Sequence, residues 1–171
     1  MGGGVRWAIE GAPNPTVLRV HVSERLTDRT IVSSPPEPAA PPFDAILEIE
    51  GVRSIDLHPY RVRVNLRPGG GRGSVSAQVG ALLAAAFGVA AELGSEPLPR
   101  AFEHPYVGRR VVAESPVMAR SSRVPVVAAL FDVVGVSEVV LAPGLALVRI
   151  GRLFDWAAVE PGVVTAVAET Q

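Results

Sequence analysis

Residues 43–66 recur as residues 127–150 at a constant offset: Gly51 to Gly135 is 84 positions, and so is Pro59 to Pro143. In both copies an apolar helical pattern runs into Gly-Val, and two strand patterns then meet at a turn containing proline. A fixed-period repeat constrains a fold more than composition does, because each copy has to form the same supersecondary unit. The chain of 171 residues has room for two such units, each near the lower size limit for a core of its own. The expected organisation is two small domains, residues 5–93 and 100–171, joined by a linker at 94–99 that reads Gly-Ser-Glu-Pro-Leu-Pro.

Val5, Trp7 and Ile9 alternate with polar or small residues, as do Leu18, Val20 and Val22 beyond the break Gly11-Ala12-Pro13-Asn14-Pro15, which predicts a β-hairpin. The proline-rich residues 33–42 cannot form a helix or a central strand and read as a surface connection. Pro41 or Pro42 is expected to open a helix whose face is Phe43, Ile46, Leu47 and Glu50, with Gly51 as its C-terminal cap. In the second copy Pro125 opens the helix, Val127, Leu130, Phe131 and Val134 form the stripe, and Gly135 closes it. Strands follow at residues 55–57 and 62–66. The glycine run after Pro68 reads as a loop, because it lacks the Gly-Lys-Ser/Thr ending of a phosphate loop. Ser74 is the expected N-cap of a helix with Val75, Val79, Leu82, Leu83, Ala86 and Phe87 on its apolar face. In copy two, Val107, Val111 and Val112 suggest one or two short strands. Asp155-Trp156 suits a helix start, and Pro161 marks the true start or a kink. Each copy thus reads as an α+β unit, a mainly antiparallel sheet covered on one face by two helices.

Period-two alternation fixes which residues face those helices. In copy one Ile55, Leu57, Val62 and Val64 point in, while Asp56, His58, Arg61 and Arg63 point out, with Asp56 across from Arg63. In copy two Val139, Leu141, Ala146 and Val148 point in, while Val140, Ala142, Leu145 and Leu147 point out. One outer face is charged and its counterpart is apolar. Strands apolar on both faces are what buried strands look like. The outer face of copy two is therefore expected to be covered by copy one, by a second subunit in a homodimer, or by another protein. The Arg61, Arg63 and Arg67 stripe reads first as a solvated face.

Composition closes several routes. There is no cysteine, which removes disulfides, thiolate catalysis and cysteine ligation of zinc or an iron–sulfur cluster. A net charge of −1 argues against bulk nucleic-acid binding. No apolar run approaches the roughly 20 residues of a membrane span. The opening residues lack a signal h-region, so a cytoplasmic protein is expected.

Several strings carry a family resemblance. Ala12-Pro13-Asn14-Pro15-Thr16-Val17-Leu18-Arg19-Val20 resembles the opening of the N-terminal domain of Nfu/NifU-type iron–sulfur scaffold proteins. Ser115-Pro116-Val117-Met118-Ala119, then Leu130-Phe131 and Gly135-Val136, are similar to that domain as well, and Asp155-Trp156-Ala157-Ala158-Val159-Glu160-Pro161 resembles its end. The resemblance implies a compact α+β fold with two helices on one sheet and a link to iron–sulfur cluster assembly, with an assembly or client protein as partner. The family's cluster chemistry sits in a separate domain with a Cys-x-x-Cys pair, which this sequence does not contain. The signature strings are divided between the two copies.

His21, His58 and His104 have no neighbouring histidine at metal-ligand spacing and read as structural. Glu103 with His104 is the best candidate for a metal held by histidine and carboxylate, and a metal- or small-ligand-binding protein is the alternative reading. No Ser–His–Asp order or paired-carboxylate motif stands out, so no enzymatic activity, no catalytic residue and no cofactor are expected. The candidate interaction residues are Pro13, Asn14 and Pro15 in a rigid loop, Ser115 and Pro116 at a cap or turn, and Val140, Leu145 and Leu147 on the apolar sheet face. The function expected is that of a non-enzymatic accessory or protein-interaction module.

Overall fold

A computed structural model describes residues 4–28, 31–33 and 41–171. Residues 34–40, most of the proline-rich connection, lie outside the described residues. The chain divides into two compact units, Met1–Gly94 and Ser95–Gln171, each an α+β unit with its own sheet and core.

In the first unit, β1 (Trp7–Gly11) and β2 (Val17–Val22) form the expected hairpin, and β3 is Ile31–Ser33. A 3₁₀ helix spans Phe43–Glu48, followed by β4 (Val52–His58), β5 (Arg61–Leu66) and helix α1 (Arg72–Phe87). The antiparallel sheet runs β1-β2-β5-β4-β3. The second unit contains β6 (Arg100–Glu103), β7 (Val111–Ala113), α2 (Pro116–Ser121), α3 (Pro125–Asp132), β8 (Val136–Ala142), β9 (Leu145–Ile150) and α4 (Trp156–Glu169). Its sheet runs β6-β9-β8-β7, the same order without a counterpart of β1.

The repeat extends to individual backbone pairs. Ile55 faces Val64 and Asp56 faces Arg63 in the first sheet; Val139 faces Val148 and Val140 faces Leu147 in the second, each partner displaced by 84. The irregularity between Val52 and Ser54 returns between Val136 and Glu138. Gly51 (φ 95°) and Gly135 (φ 99°) occupy the same left-handed position ahead of the hairpin. Their carbonyls accept from Arg67 N and Gly151 N, both at 2.8 Å. A Cβ on Gly51 would sit 2.5 Å from the Gly70 oxygen, and one on Gly135 would sit 2.7 Å from the Phe154 ring, so both sites exclude a side chain twice over.

Each core lies between the sheet and its helices. Ile46, Val75, Val79 and Leu83 cover Ile55, Val62 and Val64 in the first unit; Leu130, Phe131, Val159 and Val163 cover Val139, Leu141, Ala146 and Val148 in the second. All of these residues are buried, as the alternation and the helical stripes require. Each unit also holds one tryptophan whose indole N–H is satisfied within the unit: Trp7 donates to Gly88 O at 2.9 Å and Trp156 to Leu98 O at 2.8 Å.

Several local expectations are corrected. Phe43–Glu48 is 3₁₀ rather than α-helical: it has no side-chain cap, and Asp44 Oδ1 takes the Ala45 N–H at 2.8 Å in a local bond that competes with an α-turn. Glu50 is exposed beyond its end. Helix α1 starts at Arg72 behind Gly71 (φ 63°), so Ser74 lies inside the helix and does not cap it, and Ala86 is exposed. Val134 is 66% exposed because α3 stops at Asp132 and the chain turns. Val107 lies outside the strands and is exposed. Helix α4 begins at Trp156, capped by Asp155, and carries Pro161 in its interior. A short additional helix, α2, precedes α3, so three helices cover the second sheet.

Candidate functional site

The outer face of the first sheet carries a groove of about 350 Å³ lined by Ala12, Pro13, Asn14, Val17, Arg19, Arg61 and Arg63. Three strand positions and one loop create it. Antiparallel pairing places Arg19 of β2 directly across from Arg63 of β5, and Arg61 lies two residues earlier on the same face of β5. Like charges directly opposite one another on paired strands are destabilising. The two carboxylates best placed to neutralise the pair are engaged elsewhere. Glu10, opposite Arg19 on β1, holds His21 Nε2 at 2.8 Å. Asp56, opposite Arg63 on β4, accepts from Asn65 Nδ2 at 3.1 Å. The Asp56–Arg63 register is the expected one, yet among the described residues neither the Arg19 nor the Arg63 side chain forms a hydrogen bond or ion pair.

The β1–β2 turn forms the wall beside them. Pro13 and Pro15 fix the backbone on either side of Asn14, whose Oδ1 accepts from Thr16 N at 2.9 Å and Thr16 Oγ1 at 2.8 Å. With both acceptor positions of that oxygen used, the amide is oriented and its Nδ2 donors face away from Thr16. Val17 N donates to Asn14 O at 3.1 Å, and Ala12 N to Val17 O at 3.4 Å. Arg72, the first residue of α1, clamps the base of the turn through Nη1 to Ala12 O at 2.8 Å. Pro13 and Asn14 therefore line the groove, whereas Pro15 is exposed beside it. Arg67, the third member of the sequence stripe, does not line it.

The equivalent face of the second sheet is apolar toward its hairpin turn, with Arg149 and Glu138 paired at 3.5 Å toward the other end. Val140 and Leu147 are half-buried, Leu145 is 39% exposed, and Val112 of the neighbouring β7 is 40% exposed. Ser115 and Pro116 are buried: Ser115 accepts from Met118 N at 3.3 Å as the N-cap of α2, and Pro116 occupies its first position.

The buried histidines are tied into structure. His21 pairs with Glu10. His104 accepts Tyr106 N at Nδ1 (3.2 Å), which fixes Nε2 as the donor to Thr170 O (3.3 Å). Glu103 beside it is exposed. Among the described residues, no three His, Asp or Glu side chains gather as a metal would require. Arg19 is the groove residue that sequence reasoning missed. Alternation along β2 marks it as outward-facing, but its meeting with Arg63 depends on pairing between strands more than 40 positions apart.

No family model, curated protein or solved structure matches the chain.

Proposed function

We propose that the chain is a non-enzymatic interaction protein, in which one α+β unit is used twice to present two different surfaces to protein partners. One observation carries this reading. At identical register positions the outer pair is Asp56–Arg63 in the first sheet and Val140–Leu147 in the second. The hairpin register is shared and its solvent-side chemistry differs, which is the pattern of surfaces diverging in what they bind. The resemblance of residues 12–20, 115–119 and 155–161 to the Nfu N-terminal domain supports iron–sulfur cluster assembly as the setting, with an assembly or client protein as partner, in the cytoplasm. In that role the protein does not ligate the cluster through cysteine, since it has none.

The test is affinity capture from cells with the intact protein, Asn14→Ala and Leu145→Arg in parallel, with proteins of iron–sulfur assembly as the expected capture. Loss of the partner in either variant supports the reading; unchanged capture in both overturns it. Anaerobic iron titration addresses the ligand-binding alternative, since tight stoichiometric binding by the purified protein would replace the interaction reading with a metal-binding one. Sedimentation of the purified chain shows whether the apolar face pairs two copies, and in that case Leu145→Arg yields monomers.

A further inference from the structure

Three guanidinium groups and one oriented amide converge on the groove of the first unit, and no carboxylate lines it. The chain has no lysine, so Arg19 and Arg63 each present a planar fork able to make two parallel hydrogen bonds to an oxyanion. Arg19 and Arg63 face each other across the strands without an anion between them, and their nearest acidic neighbours are committed to His21 and Asn65. Among the described residues, neither guanidinium has an anion bonded to it.

The walls distinguish among anions. Sites for phosphate draw on backbone N–H groups arranged in a concave nest. In the turn of residues 12–17 the two prolines have no N–H, and Ala12, Thr16 and Val17 donate theirs within the turn. The groove thus offers side-chain forks and almost no backbone donors. Ala12, Pro13 and Val17 also give it apolar walls, which suit a charged group carried on a carbon stem. A nucleic-acid backbone needs a longer track of positive charge than this groove provides.

We propose that this groove binds an acidic segment of a protein partner, with a side-chain carboxylate seated between Arg19 and Arg63 and oriented by the Asn14 amide. The proposal rests on the interaction reading above and gives that partner a chemistry. Arg61 lies two residues further along β5 on the same face.

The probe is a fluorescent peptide of alternating Glu and Ala, with its Gln counterpart as control, titrated into the full chain by anisotropy. The Glu peptide is expected to bind, to weaken as salt is raised, and to exceed the Gln peptide by about tenfold, the equivalent of one charge-assisted bond. Arg19→Ala and Arg63→Ala should each lose about tenfold, and Arg63→Lys should recover part of that loss because it restores charge without the fork. Arg67→Ala should bind like the intact protein, and thermal melts establish that every variant is folded. Any of four results overturns the proposal: no Glu-peptide binding, equal binding of the Gln peptide, equal loss in Arg67→Ala, or displacement by citrate, inorganic phosphate or an oligonucleotide at concentrations below the peptide's own. Loss of peptide binding with partner capture intact removes the groove and leaves the interaction reading standing. Peptide binding without any captured partner does the reverse.

Discussion

The two sheets carry different chemistry on the same register. Arg61, Arg63 and Asp56 in the first unit correspond to Leu145, Leu147 and Val140 in the second, each displaced by 84 positions. Behind these faces the cores agree: Ile46 matches Leu130, Ile55 matches Val139, and Val64 matches Val148, all buried. Inward positions are constrained by close packing, where the loss of even one methylene is felt. Outward positions carry no such constraint and are free to change sign and polarity. The comparison separates residues that make the fold from residues that use it.

The cores are not equal everywhere, and stability measurements can expose where they part. Phe131 is 1% exposed, whereas its counterpart Leu47 is half-buried against the first core. Phe131→Ala should cost about 3–5 kcal/mol and Leu47→Ala less than about 2 kcal/mol. Urea unfolding of each unit can be followed through Trp7 or Trp156 with the other tryptophan replaced by Phe. Equal costs would show that the packing difference between the units is not real. Next in size come the paired glycines. Gly51→Ala and Gly135→Ala each meet about 1–2 kcal/mol of left-handed strain. Gly51→Ala should cost more, because its Cβ runs into the rigid Gly70 carbonyl rather than the Phe154 ring.

Caps give a smaller contrast. Asp155 Oδ1 accepts from Ala157 N at 2.9 Å, so Asp155→Ala should lose about 1 kcal/mol. Ser74→Ala in the corresponding helix α1 should stay within about 0.5 kcal/mol, since Ser74 lies inside the helix. The boldest exchange is expected to leave the fold standing. Val140→Asp, Leu145→Arg and Leu147→Arg together give the second sheet the outer face of the first. The melting temperature should move by only a few degrees, because the three replaced side chains are half-buried or exposed and lie outside the core. Any association through that face that sedimentation detects should disappear. A collapse of the fold would show that the outer residues of the second unit belong to its core.

The repeat, the alternation and the hairpin at residues 7–22 were legible in the sequence because they depend on short-range periodicity. The fold class and the inward residues followed from them. What escaped depended on events along or across the chain that periodicity does not encode. Ser74 looked like a cap, but Gly71 takes a left-handed conformation three residues earlier and Arg72 reaches back to Ala12. Val134 continued a helical stripe, but the chain had already turned. Pro161 left open whether α4 starts there or at Asp155-Trp156; the helix starts at Trp156 and runs through Pro161, with packed residues Trp156, Val159 and Val163 on both sides. The groove was half visible. Asn14 between prolines and the Arg61–Arg63 stripe were each evident, but only the pairing of β2 with β5 brings them to one place beside Arg19.

The strand present only in the first sheet has a consequence for the second. With β1 in place, β2 has hydrogen-bonding partners on both sides; among the described residues, its counterpart β6 pairs with β9 alone. Such an open border invites strand addition from another chain. The sequence answers with length and charge. The strand is four residues long, begins with Arg100 and ends with Glu103. Arg100 is further held by Glu160 at 2.7 Å and lies over the Trp156 ring at 5.0 Å. Neutralising these two ends would turn a guarded border into a template, and aggregation of this protein would be expected to start there.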